Sequence, residues 1–299
     1  MSRRRAGVNP VNARKNGAMN PQPVTPELRA WILSQSAAGQ PAEALLQSML
    51  ASGWSAQAAT LALQSTLGID ASGAADPPPA GVPVPEPLAG ADSAVVDVGD
   101  RRVAVVAALQ APRVLVFSGF LADDECDAMI ELARTRLARS ETVETNTGSS
   151  EVSPARTSEG MFFERAEFDL CARIEARMAA LLRWPIENGE GLQVLRYGVG
   201  AEYKPHYDYF DPDQPGTPAL LQRGGQRVAS LICYLNTPRR GGATVFPEIG
   251  LEVAPVKGNA VFFSYDRPDP VTRTLHGGAP VLDGEKWVTT KWVRERRFD

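Results

Sequence analysis

Between residues 71 and 91 the chain reads ASGAADPPPAGVPVPEPLAGA, with six prolines and no aromatic residue. Proline lacks a backbone N–H and fixes φ, so this stretch favours neither helix nor sheet ladder and is expected to run extended. It divides the 299 residues into two parts of different texture. The divisions that follow are a tail over 1–24, a small module over 25–69, a linker over 70–91 and a larger domain over 92–299. At roughly 150 residues per domain, the total length suits a two-domain chain or one large domain with an appendage.

The tail holds Arg3, Arg4, Arg5, Arg14 and Lys15, no acidic residue and no apolar periodicity, which predicts a disordered basic segment. From Thr25 the pattern turns helical. Thr25 can cap, Pro26 suits the first turn, and Leu28, Trp31 and Ile32 share a face before Gly39. Pro41 can open a second helix with Leu45, Leu46, Met49 and Leu50 inward, and Ser55 can cap a third that runs to about Leu67. The turn Met49-x-x-x-Gly53-Trp54 before an Ala/Leu helix loosely resembles ubiquitin-associated-like three-helix modules. That resemblance implies a protein partner for residues 25–69, of no specified kind.

The second part is built differently. VVDV and VAVVAAL flank a G-D-R-R turn, VLVF follows, and LADDECDAMIELARTRL reads as a helix opened by Asp123 or Asp124. A long polar stretch, ARSETVETNTGSSEVSPARTSEG, separates it from MFF and from a helix around EFDLCARIEARMAALL. Polar loops of this length inside a domain are commonly lids or binding loops. After Trp184 come LQVLRYG, VASLICYL, ATVFP, GNAVFFSY and the runs either side of Asp283-Gly284, all short and punctuated by Gly, Pro and Asp. These predict a mainly β member of the α+β class, a barrel or jelly roll braced by helices.

Composition closes several doors. A net charge of −4 offers nucleic acid no bulk attraction. No apolar run approaches the ~20 residues that span a bilayer, and no hydrophobic stretch follows the N-terminal arginines as in a secretory signal. The expected setting is the cytoplasm, with neither nucleic acid nor membrane as partner. Cys126, Cys171 and Cys233 are widely spaced and odd in number, so they predict reduced, buried thiols rather than a disulfide framework or a zinc knuckle.

The chemistry centres on two histidines. His206 and Asp208, in Y-K-P-H-Y-D-Y, stand two residues apart and would face the same way along a strand. Closure of the sheet can bring His276 to the same interior point. Two imidazoles and one carboxylate on one face of a metal leave three positions open, the arrangement of non-haem Fe(II) oxygenases. Ten residues after His276, period-2 counting puts Lys286, Val288, Thr290 and Trp292 on one face, and Trp287, Thr289, Lys291 and Val293 on the other. An inward lysine needs an anion, because an unpaired buried ammonium is expensive.

With these motifs assembled, the resemblance is specific. QVLRYGVGAEYKPHYDYF, GGQRVASLICYLN, GGATVFP, KGNAVFFS and LHGGAPVLDGEKWVTTKW, preceded by FLADDECD and RTSEGMFF, resemble the prolyl 4-hydroxylase branch of the 2-oxoglutarate- and Fe(II)-dependent dioxygenases over about residues 112 to 295. The resemblance implies a double-stranded β-helix core. It further implies Fe(II) on His206, Asp208 and His276, with Lys286 pairing the distal carboxylate of 2-oxoglutarate and Tyr197 and Thr244 hydrogen-bonding that co-substrate. Dioxygen is the oxidant, with ascorbate an optional addition. In peptide-acting relatives the positions matching Tyr203 and Trp292 pack against the target proline and that of Arg227 approaches the peptide, while the polar loop before Arg156 closes over it. The family's G-G-E-T appears here as Gly241-Gly242-Ala243-Thr244, so the carboxylate is missing and the threonine kept. The implied activity is hydroxylation of a prolyl residue, at C4, in a peptide or protein. Alternatives are a small molecule or another side chain as substrate, and a silent module that only binds iron and 2-oxoglutarate.

Overall fold

The computed structural model describes residues 25–37, 40–67, 81–89, 94–140, 142–143, 150–151 and 154–299. The expected basic tail lies outside them, as does much of the polar loop before Arg156. The chain divides into two compact units, one through Pro77 and one from Pro78.

In the first unit three helices form where expected: α1 (Pro26–Ala37), α2 (Ala42–Ala51) and α3 (Ala56–Leu67). Thr25 Oγ1 accepts from Leu28 N at 3.3 Å and Ser55 Oγ from Ala58 N at 3.2 Å, each satisfying an orphan donor of a first turn. Ile32, Leu45, Met49, Ala59, Ala62 and Leu63 form the buried centre.

The second unit begins with β1 (Val95–Asp97), β2 (Arg102–Leu109), β3 (Arg113–Ser118) and α4 (Asp123–Arg134). Next come β4 (Ala138–Arg139), β5 (Thr142–Val143), β6 (Ser150–Glu151), β7 (Glu159–Phe163) and α5 (Asp169–Leu182). β8 (Leu192–Tyr197), β9 (Tyr203–His206), α6 (Thr217–Gln222), β10 (Arg227–Tyr234), β11 (Arg240–Gly241) and β12 (Thr244–Phe246) follow. The chain ends with β13 (Leu251–Val253), β14 (Ala260–Ser264), β15 (His276–Gly278), β16 (Val281–Asp283) and β17 (Lys286–Arg294). A nine-stranded sheet has the order β1-β2-β3-β14-β10-β17-β8-β7-β4, and a four-stranded sheet the order β13-β12-β15-β9. Every ladder among the described residues is antiparallel. This is the jelly-roll core braced by helices that the strand pattern predicts.

Alternation assigns each strand residue to one of two cores. Leu115, Phe117, Leu231, Cys233 and Phe262 pack with Cys126, Met129, Ile174 and Met178 of α4 and α5 on the outer face of the large sheet. Val114, Val116, Tyr234, Val261 and Phe263 face the other way and pack with Phe246 and Val253 of the small sheet. Because both faces are covered, VASLICYL and AVFFS read as continuous apolar runs rather than alternating ones.

One expectation needs correction. The proline-rich segment is not a linker throughout: Pro85 and Pro87 are buried, and Val82, Val84 and Leu88 pack on the outer core. Val82 N donates to Asp266 O at 2.7 Å, and Glu86 pairs with Arg113. An extended segment can bury side chains without a ladder, which composition alone does not reveal. Helix α4 opens at Asp123 as expected, its N-cap being Ala122, with Glu125 Oε2 accepting from Ala122 N at 2.9 Å and the two aspartates in the first turn. Of the strands either side of Asp283-Gly284, β16 joins β11, while β17 lies between β10 and β8. The three thiols are free and buried as expected, and burial pushes Cys126 up to about 12 and Cys171 to about 11.

Candidate active site

His206 is the last residue of β9 and His276 the first of β15, and the two are direct partners across the antiparallel pair. The second histidine thus comes from the neighbouring strand rather than from across the barrel. Gly277 permits the approach, since a Cβ there would lie 2.8 Å from the Tyr203 carbonyl oxygen. Asp208 stands beyond the end of β9, not on it. It still meets both rings, with Oδ1 3.5 Å from His206 Nε2 and Oδ2 3.5 Å from His276 Nε2. Ligand atoms of all three residues fall within 4.8 Å of one another.

Each imidazole is oriented from behind. His206 Nδ1 lies 2.9 Å from Lys204 O and His276 Nδ1 3.0 Å from Thr274 O. A carbonyl oxygen can only accept, so Nδ1 carries the proton and Nε2 presents its lone pair to the cluster. Burial lowers His276 to about 4 and keeps it neutral. Burial alone would raise Asp208, but His276 and His206, when they carry a proton on Nε2, and the Arg227 guanidinium outweigh it and hold the carboxyl well below its usual range. Two imidazole nitrogens and one carboxylate form a donor set suited to Fe(II).

The cluster opens into a cleft of about 430 Å³, mouth included, lined also by Tyr197, Tyr203, Thr244, Lys286 and Trp292. All four residues of the inward β17 face line it: Lys286, Val288, Thr290 and Trp292. Lys286 is 4% exposed, with Nζ 5.4 Å from the Tyr197 ring centre and 5.8 Å from that of Tyr234. No salt bridge reaches it among the described residues, and burial lowers its ammonium to about 8. Gly242, at φ +75°, gives the stem room; a Cβ there would approach Lys286 Cδ to 3.2 Å. Thr244 Oγ1 accepts from Tyr234 Oη at 2.8 Å, which leaves its own proton to donate. A buried cation without an ion pair, beside two hydroxyl-bearing side chains and the triad, fits a dicarboxylate that chelates the metal.

Tyr203 stacks on His206, with ring centres 3.7 Å apart. Arg227 stands behind Trp292. It is not among the residues lining the cleft; its guanidinium binds Glu190 at 2.7 Å and lies 4.0 Å from the Trp292 ring. The buried carboxylate of Glu190 binds the guanidinium, which backs Trp292 and also donates to the Asp208 carbonyl oxygen at 3.4 Å, beside the cluster. Sequence reasoning missed Arg156, which lines the cleft, donates to Gln193 Oε1 at 2.8 Å and lies 4.8 Å from the Tyr203 ring centre. Its signal was an arginine closing an otherwise uncharted polar loop.

Residues 192–294 match the family model described as the 2OG-Fe(II) oxygenase superfamily. The chain is 39% identical over 208 residues to Probable prolyl 4-hydroxylase 7 of Arabidopsis thaliana, covering 63% of this chain and 64% of the relative. It is 39% identical over 213 residues to Prolyl 4-hydroxylase 2 of the same plant, covering 63% of this chain and 69% of that one. Among solved structures it is similar to the viral collagen prolyl hydroxylase of Paramecium Bursaria Chlorella virus-1 in its 2OG complex, at 32% identity and a TM-score of 0.47, over 60% of this chain and 95% of that one. The chain belongs to the 2OG-Fe(II) oxygenase superfamily. Within it, the chain falls in the prolyl 4-hydroxylase branch.

Proposed function

We propose that this protein is an Fe(II)- and 2-oxoglutarate-dependent dioxygenase that hydroxylates prolyl residues, at C4, in a peptide or protein. The observation that carries the reading is the joining, in one cleft, of the His206–Asp208–His276 cluster with the unpaired ammonium of Lys286. His206, Asp208 and His276 hold the metal through Nε2, a carboxylate oxygen and Nε2. Lys286 binds the distal carboxylate of 2-oxoglutarate, with Thr244 and Tyr197 as its hydroxyl partners. Bound Fe(II), 2-oxoglutarate and dioxygen supply the oxidation, in which the 2-oxo acid gives succinate and carbon dioxide and one oxygen atom enters a substrate C–H.

The chain's own contribution is binding, orientation and exclusion of water. Tyr203 and Trp292 supply flat apolar walls that suit a pyrrolidine ring. Arg227, held by Glu190, keeps the Trp292 wall in place. Residues 25–69 would recruit a protein partner. No helix among the described residues is long and apolar enough to cross a membrane. The unpaired, buried thiols suit a reducing compartment such as the cytoplasm.

Mass spectrometry of a proline-containing peptide library, after incubation with the protein, Fe(II), 2-oxoglutarate and oxygen, tests the substrate class. Gain of one oxygen on a prolyl residue is expected. If no peptide is hydroxylated or stimulates succinate release, a small-molecule substrate replaces it.

A further inference from the structure

The two histidines of the cluster are each pinned through Nδ1 to a backbone carbonyl. Asp208 lies past the last residue of β9, where no ladder restrains it, and its anchor comes instead from side chains. Ser230 Oγ donates to Asp208 Oδ2 at 2.5 Å, and the Tyr265 hydroxyl lies 3.0 Å from Ser230 Oγ. Ser230 is fully buried on β10, and Tyr265, the residue after β14, is 1% exposed. The direction of this chain of bonds is determined by its end. A carboxylate only accepts, so Ser230 commits its single proton to Asp208 and Tyr265 must donate to Ser230. Tyr265 remains a protonated donor, since burial and the nearby Asp208 charge push its hydroxyl well above the usual range. Ser230 shares its inward face with Ile232 and Tyr234, among which a hydroxyl without a partner would be costly.

We propose that Ser230 and Tyr265 are positioning residues for the metal, a two-hydroxyl relay that holds the Asp208 carboxylate where it meets both His206 and His276. The proposal rests on the reading of those three residues as metal ligands. Tyr265 acts only through Ser230, and Ser230 only through Asp208. Loss of the relay should therefore loosen the metal without unfolding the protein.

The test is a calorimetric titration of Mn(II), a redox-stable probe, into the full chain and its variants, with thermal melts of the metal-free proteins. Ser230→Ala should bind Mn(II) roughly 10- to 100-fold more weakly, as is usual when a group orienting a ligand is lost. Ser230→Thr keeps the hydroxyl and should restore wild-type affinity. Tyr265→Phe should show a smaller loss in the same direction. The double variant should be no weaker than Ser230→Ala, because the two act in series. Unchanged Mn(II) affinity in Ser230→Ala overturns the relay, as does a full extra loss when Tyr265→Phe is added to it. Should Ser230→Ala not fold, wild-type affinity in Tyr265→Phe overturns it equally. His206→Ala is the control for the underlying site: equal Mn(II) binding by wild type and His206→Ala would remove the metal centre itself, and the relay with it.

Discussion

The two faces of the large sheet bury charge in opposite ways. On the outer face, against α4 and α5, the buried charges close on one another: Lys291 Nζ binds Glu175 Oε1 at 2.5 Å, and Arg177 binds Glu125 at 2.7 Å and Asp100 at 2.6 Å. Burial would raise Glu125, but Arg177, the Ala122 amide and Arg173 bring it down to about 2. On the inner face Lys286 has no such partner, and burial lowers it to about 8. Strand β17 carries both lysines, five residues apart and at most 4% exposed. The same residue type, equally buried, is structural where a carboxylate faces it, and where none does it is the group proposed to bind a ligand.

The comparison breaks most sharply at the metal ligands. His206→Ala or His276→Ala should abolish Fe(II)-dependent succinate formation with little change in melting temperature, since the two apolar cores hold the fold. Arg177→Ala should do the reverse. Leaving the buried Glu125 with only the half-exposed Arg173 and the Ala122 amide costs roughly 1 to 3 kcal/mol of stability, readable by urea unfolding, while the folded molecules keep their turnover. Full turnover in His206→Ala would contradict the metal assignment.

A second contrast uses the two lysines. Lys286→Ala should weaken 2-oxoglutarate by about 10² to 10³·⁵, the equivalent of 3 to 5 kcal/mol, with far less effect on Fe(II). Lys291→Ala should leave 2-oxoglutarate affinity alone and lower stability instead. Calorimetry and unfolding curves on both variants decide. Equal effects on ligand affinity would erase the distinction between the faces.

The pH dependence sharpens it further. A carboxylate bound to Lys286 raises the ammonium pKa above its free value of about 8, so the contribution to affinity is complete below pH 8 and lost as pH rises. Affinity for 2-oxoglutarate should fall by up to about tenfold per pH unit above 8 until the bound pKa is reached. Lys286→Ala should lose this slope, and a flat wild-type profile would argue against the pairing.

The smallest effect concerns the edge of the outer core. A chain beginning at Pro78 should fold as the second unit. One beginning at Ala91 forfeits the packing of Val82, Val84 and Leu88 and the Glu86–Arg113 pair. Partial loss of three apolar contacts should lower its stability by roughly 1 to 3 kcal/mol, measured by urea unfolding of both. Equal stability would show that residues 81–89 contribute nothing.

Legibility in the sequence follows what local patterns can encode. Alternation put Lys286, Val288, Thr290 and Trp292 on one face, and all four line the cleft. The H-x-D spacing suggested convergence of His206 and Asp208, although the strand ends before the aspartate. Partner choice was not legible. Glu190 lies 37 residues before Arg227, and nothing local marks it as the carboxylate that claims the guanidinium. Ser230 and Tyr265 meet only because β10 pairs with β14, a register that the sequence does not state. The docking of residues 81–89 was hidden because proline content reports on hydrogen-bonding capacity and not on side-chain burial.

The central claim is that one cleft holds a metal and 2-oxoglutarate together, the metal on the His206–Asp208–His276 cluster and the far carboxylate on Lys286. Calorimetric titration of 2-oxoglutarate into the full chain, with and without Mn(II) in place of iron, tests it most directly. The account predicts binding that is tighter by roughly tenfold or more with the metal, a coupling of at least about 1.4 kcal/mol. Identical affinity with and without Mn(II) would contradict it.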